Sequence, residues 1–66
     1  MKVIINGETK EFSDDFSLQN IITDLQIENK VMAAAVNMNI VKKDNWSNFI
    51  PKNDDKIELL QFVGGG

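Results

Sequence analysis

Lys2-Val3-Ile4-Ile5-Asn6-Gly7-Glu8-Thr9-Lys10-Glu11-Phe12 has the pattern of a β-hairpin. Lys2–Asn6 has the alternation of a strand, with Met1, Val3 and Ile5 on one face. Asn6-Gly7 is the strongest short hairpin signal, because both residues tolerate the positive φ of a type I′ turn. Glu8–Phe12 is then the returning strand, and the chain begins its fold as an antiparallel pair with one apolar face to cover.

Downstream residues supply the cover. Ser13, Asp14 and Asp15 make a polar connection, and Ser17 is a good helix N-cap. Leu18, Ile21, Ile22 and Leu25 follow at i, i+3, i+4 and i+7, the apolar stripe of a helix of two to three turns. Glu28-Asn29-Lys30 is expected to end it. Val31–Asn37, centred on Ala33-Ala34-Ala35, is ambiguous in period; its shortness, its polar flanks and Val36 favour a buried strand. Asn37-Met38-Asn39 reads as a turn into a short extended piece at Ile40-Val41. Lys43–Phe49 has the spacing of one irregular helical turn with Trp46 and Phe49 pointing inward, Pro51 to Asp55 is a turn, and Lys56–Phe62 is the last strand. The order β-β-α-β, a short extended piece and β predicts an α+β domain of the β-grasp type. In it a mixed sheet of four main strands packs on one helix. Residues 1–62 form that domain and residues 63–66 a flexible tail.

Composition narrows the chemistry. The 66 residues allow one small domain, and Cys, His and Tyr are all absent. A thiol nucleophile, a Ser-His-Asp triad and a Cys/His zinc site are therefore excluded, and no cofactor is expected. The chain reads as a protein other than an enzyme. All seven basic residues are lysines, they are scattered, and the net charge is −3, which disfavours nucleic acid. No apolar run approaches 18 residues and no signal segment is visible, so a cytoplasmic protein away from membranes is expected. Asp14-Asp15 and Asp54-Asp55 read as turn formers rather than metal ligands, Lys42-Lys43 as a solvated face, and Met32 and Met38 as packing.

The last strand differs from the others. If Ile57 and Leu59 face the helix, then Glu58, Leu60 and Phe62 fall on the opposite face with Ile4. A single helix covers one side of a sheet, so Ile4, Leu60 and Phe62 are expected to form an exposed apolar patch, a partner-docking surface. After Phe62 come Val63-Gly64-Gly65-Gly66. Triglycine has maximal backbone freedom and no Cβ, so this segment can thread a narrow slot in a partner and present the Gly66 carboxyl there. Extended, Gln61–Gly66 reaches about 20 Å at roughly 3.4 Å per residue. A carboxylate becomes an electrophile only after activation, for example as an adenylate. This chain has no phosphate loop and no base for that step, so a partner must supply both. The plain alternative is a binding module with an inert glycine end.

A β-grasp domain with a diglycine end resembles the ubiquitin-like proteins, and in detail the ThiS family, the sulfur carriers of thiamin thiazole synthesis. The resemblance rests on the Asn6-Gly7 hairpin, Ala35-Val36-Asn37 followed by Ile40-Val41, Trp46, and Asp55-Lys56-Ile57-Glu58 running into Gln61-Phe62-Val63-Gly64-Gly65-Gly66. It spans the whole chain. Asp54-Asp55 stands where members usually have Gly-Asp, and Lys42-Lys43 where they often have Pro-Arg. The resemblance implies that an E1-like adenylating enzyme, which binds the ATP, activates Gly66. A cysteine-derived persulfide then supplies sulfur to make a thiocarboxylate. Thiazole synthase accepts the Val63-Gly64-Gly65 tail and takes the sulfur, while Ile4, Leu60 and Phe62 dock the partners. A related possibility is the small subunit of molybdopterin synthase, another thiocarboxylate donor, which auxotrophy would separate.

Overall fold

The structure, a computed structural model, describes residues 1–62. Its elements run β1 (Lys2–Ile5), β2 (Glu8–Glu11), α1 (Leu18–Asp24), β3 (Val31–Val36), β4 (Asn39–Val41), a 3-10 turn (Lys43–Asn45) and β5 (Lys56–Gln61). The hairpin forms at Asn6 and Gly7, whose φ values are +48° and +86°, and pairs Ile5 with Glu8 and Ile4 with Thr9. The sheet order is β2-β1-β5-β3-β4. β1 and β5 pair in parallel while every other pair is antiparallel, which gives the mixed sheet expected of a β-grasp.

The short extended piece at Ile40-Val41 joins the sheet as a fifth strand, where four main strands were expected. Asn37 and Met38 turn with φ of +50° and +72°, so Val36 pairs directly with Asn39 and Ala35 with Ile40. A two-residue turn with both φ positive matches the right-handed twist of the flanking strands, which is why so short a strand still pairs. The last strand stops at Gln61 rather than Phe62. Phe62 nevertheless donates its N–H to the Lys30 carbonyl at 2.8 Å.

The helix is shorter than the apolar stripe suggests. It ends at Asp24 with Leu25 as its C-cap, well before Glu28–Lys30. Gln26 takes φ +61° and donates to the Thr23 carbonyl at 2.9 Å, a left-handed residue that closes the helix without glycine. Seven residues are too few to be helical alone, so tertiary contacts hold them. The Ser17 Oγ accepts from the Asn20 N–H and the Asn20 Oδ1 accepts from the Ser17 N–H, each at 3.0 Å, a reciprocal cap. Two further helix donors reach the loop after the 3-10 turn. Leu18 N–H goes to the Phe49 carbonyl at 2.7 Å and Gln19 N–H to the Trp46 carbonyl at 2.9 Å.

Val3 and Ile5, Leu18, Ile21 and Ile22, Val31, Ala34 and Val36, and Ile57 and Leu59 bury the space between sheet and helix. Trp46 closes it, 1% exposed, with its indole N–H donating to the Val41 carbonyl at 2.8 Å. A side chain so enclosed is a core anchor and has no face left for a ligand. The acidic turns also have structural work. Asp55 accepts from the Lys52 N–H and the Asn37 side chain, and Asp14 accepts from the Met1 ammonium at 2.6 Å. That hydrogen bond, and then the ammonium charge, hold the Asp14 carboxyl below the ordinary carboxylate range. Among the described residues no helix is long and apolar enough to cross a membrane.

Candidate functional site

β5 lies between β1 and β3, and its C-terminal end leads toward residue 63. A central strand is the most constrained element of a sheet, so whatever follows it leaves from a rigid base. The expected tail and modification site, Val63, Gly64, Gly65 and Gly66, lies outside the described residues.

Alternation along β5 puts Ile57 and Leu59 in the core and Glu58 and Leu60 on the outer face. Leu60 and Phe62 are exposed, at 60% and 61%. Ile4 does not join them. It is half-buried and registers with Lys56, four residues before Leu60, which places it roughly 13 Å away along the strand at about 3.3 Å per residue. The expected three-residue patch is therefore divided, with Glu58 between its ends. Sequence alternation sorts faces correctly, but the stagger of a parallel pair is set by the crossover that joins its strands.

Other apolar residues do surround Leu60. It pairs with Ala33, and the register shift between Val31 and Ala33 leaves Met32 exposed beside it. Ala35 pairs with Ile40, which is 70% exposed on β4. The small alanines leave a shallow hollow of about 220 Å³ lined by Ala33, Ala35, Ile40, Leu60, Glu58 and Asn6. Alternation within Val31–Val36 could have assigned Ala33 and Ala35 to this face. The bulge that exposes Met32 has no signal in a run of alanines.

Asn6 has a second role that the hairpin motif does not show. Its Oδ1 accepts from the Leu59 N–H at 2.8 Å and its Nδ2 donates to the Leu59 carbonyl at 3.2 Å. The side-chain amide thus pairs with both backbone groups of a β5 residue beyond the last backbone pair, Ile5 with Ile57.

A mixed five-stranded sheet closed by one helix, with its central strand last among the described elements, is the ubiquitin-like β-grasp. Comparison with known proteins extends this from fold to family. The ThiS family model matches residues 3–66. The sulfur carrier protein ThiS of Bacillus subtilis is 30% identical over 63 residues, covering 94% of this chain and 96% of that one. A thiazole synthase of Paramagnetospirillum magneticum is 32% identical over 66 residues; this chain is covered completely but spans only 20% of that protein's length. The crystal structure of a thiamine biosynthesis protein (ThiS) from Geobacter metallireducens superposes with a TM-score of 0.80 over 100% of both chains at 20% identity, a likeness of fold. This chain belongs to the ThiS family of sulfur carriers.

Proposed function

We propose that this chain carries sulfur to the thiazole ring in thiamin biosynthesis, as a co-substrate of partner enzymes rather than a catalyst. An E1-like enzyme joins the Gly66 carboxylate to AMP from ATP, releasing pyrophosphate. The terminal sulfur of a cysteine-derived persulfide displaces AMP, and a thiol cleaves the resulting S–S bond to leave the thiocarboxylate on Gly66. Thiazole synthase then receives the Val63-Gly64-Gly65 tail and takes the sulfur. A tethered thiocarboxylate is a soft nucleophile delivered without free sulfide.

The family match running through residue 66 carries this reading. The thiazole synthase relative adds support, since a region similar to this whole chain lies within a protein of that name. The exposed side chains of Leu60 and Phe62, with Ile4 at the far end of the same face, are the proposed docking residues for the activating enzyme and, by turns, the synthase.

Deleting Gly65 and Gly66 tests the proposal in a host that lacks its own carrier. The reading predicts that the full chain restores growth without thiamin, that the truncated chain does not, and that added thiazole rescues the latter. Restoration by the truncated chain would mean an inert tail. Loss of molybdenum-enzyme activity in place of a thiazole requirement would move the chain to the other thiocarboxylate pathway.

A further inference from the structure

The ladder between β1 and β5 is short. Its backbone register covers Ile4 with Lys56 and Ile5 with Ile57, and Asn6 adds one bond from its N–H to the Ile57 carbonyl at 2.9 Å. The chain then turns away at Gly7, φ +86°, to begin β2. β5 continues for four residues past Ile57, to Gln61. Alternation directs the backbone groups of Leu59 toward the side β1 has left, because those of Lys56 and Phe62 bond to Asn37 and Lys30 on the β3 side. Leu59 is buried, so an unmatched N–H and C=O there would be costly.

The Asn6 side chain fills that gap. A primary amide offers the donor and acceptor pair of a peptide unit, and both are used on Leu59, at 3.2 and 2.8 Å. The side chain is in effect the next rung of a strand whose backbone has already left. It is also the last described restraint on the β1 side of β5, three residues before Phe62; on the β3 side the last is the Phe62 N–H to Lys30 carbonyl bond. The β3 ladder holds β5 as far as Gln61, and the clasp adds the restraint on the opposite edge. Without the clasp the end of the strand is held along one edge only.

We infer that Asn6, by clasping Leu59, is a positioning residue that aims the C-terminal end of β5 into the slot of the activating enzyme. The inference rests on the carrier reading above. Ordering the base of the tail before encounter lowers the entropy lost on threading, a gain in productive binding rather than in the chemical step. The hairpin requirement at this position is separable from the clasp. Glycine accepts φ +48° and keeps a good turn while removing the amide, and Asp keeps the turn and the Leu59 acceptor but faces the Leu59 carbonyl with a carboxylate oxygen.

The test measures sulfur loading by the E1-like enzyme with ATP and a persulfide donor, as a function of carrier concentration, for the native chain, Asn6→Gly and Ser17→Ala. Ser17→Ala weakens the fold at the helix cap, away from β5, and so reports what lost stability alone does to loading. For Asn6→Gly, KM should rise about tenfold with kcat within twofold of native. Hydrogen exchange should accelerate at the Leu59 amide but not at Ile21. Ser17→Ala should leave KM near native. Should Asn6→Gly fail to fold, Asn6→Asp carries the same comparison with a smaller rise. A native KM for the folded Asn6 variant, or a rise no larger than that of Ser17→Ala, overturns the inference and leaves the carrier reading intact. If the native chain takes no sulfur, the carrier reading fails and this inference falls with it.

Discussion

Replacing Ser17 with Ala removes the one buried polar side chain among the described residues, and the structure sets the size of the effect. The Ser17 Oγ is the acceptor for the Asn20 N–H at 3.0 Å, one of the first-turn donors that no helical carbonyl can reach. The donors of Leu18 and Gln19 are taken by the carbonyls of Phe49 and Trp46, so those groups cannot shift to compensate without breaking the loop that seats Trp46. The helix has seven residues and no propensity reserve to absorb the loss. Loss of a Ser cap costs about 0.5–2 kcal/mol, and the burial of Ser17, whose reciprocal bond with Asn20 is lost with it, puts this site in the upper half, about 1–2 kcal/mol. A chain of 66 residues has roughly 3–10 kcal/mol of stability in total, at 0.05–0.15 per residue. The variant should therefore remain folded at 25 °C while its midpoint drops by about 4–16 °C, at 4–8 °C per kcal/mol. Urea titration followed by the fluorescence of Trp46, the single tryptophan, and by circular dichroism measures the change. Ser13→Ala, at an exposed serine, is the control and should shift stability by less than about 0.5 kcal/mol. A Ser17→Ala loss as small as that of Ser13→Ala would refute the account of how the helix is held.

Met38 sits at φ +72° and is 92% exposed, so Met38→Gly removes left-handed strain at no packing cost and should raise stability by about 0.5–1 kcal/mol in a thermal melt. Asp54→Gly, at φ +69°, should gain less, because Asp tolerates that region better than Met. The Asp14 carboxyl titrates below its unfolded value, so its bond to the Met1 ammonium adds stability that is fully present above that unfolded value and is lost as pH falls through the lower folded one. Stability against pH below about 4 should accordingly be flatter in Asp14→Asn than in the native chain, as read by urea midpoints. Leu60→Asp, on the exposed outer face, should change folding stability by less than about 0.5 kcal/mol, yet weaken binding to the activating enzyme at least tenfold by calorimetry. Unchanged affinity would remove Leu60 from the docking surface.

The features legible in the sequence were those with a local cause. Asn6-Gly7 specifies its turn through two residues that accept positive φ, and Ser17 marks the helix start through a side chain that bonds three residues on. The apolar stripe of Leu18, Ile21 and Ile22 and the alternation in β5 place the core because burial follows period. Where the usual residue is missing, the signal fails. Gln26 closes the helix at a position where glycine would have announced it, and Met38, a side chain seldom found at such a φ, left the Asn37–Asn39 turn readable but not the pairing of the strand that follows it. Asp54, at φ +69°, likewise occupies a position that glycine would fill without strain. Features set by tertiary geometry were not legible at all. The stagger that separates Ile4 from Leu60, the bulge that exposes Met32, and the clasp of Asn6 on Leu59 each depend on how distant strands meet. In the candidate site, the outward face of Leu60 and Phe62 was readable and alternation reaches Ala33 and Ala35; the exposure of Met32 and the pairing that brings in Ile40 were not.

Mass analysis of a C-terminal fragment decides whether Gly66 is the sulfur-bearing group. The chain is incubated with an E1-like activating enzyme and a persulfide donor, with and without ATP. Exchange of one carboxyl oxygen for sulfur nearly matches the mass of one methionine oxidation, and the chain has three methionines, so the fragment must exclude them and be sequenced to its last residue. A carrier gains mass on Gly66, only with ATP, and loses it on alkylation-sensitive transfer to thiazole synthase. An unmodified Gly66, with the same enzyme shown to load another carrier, would contradict it.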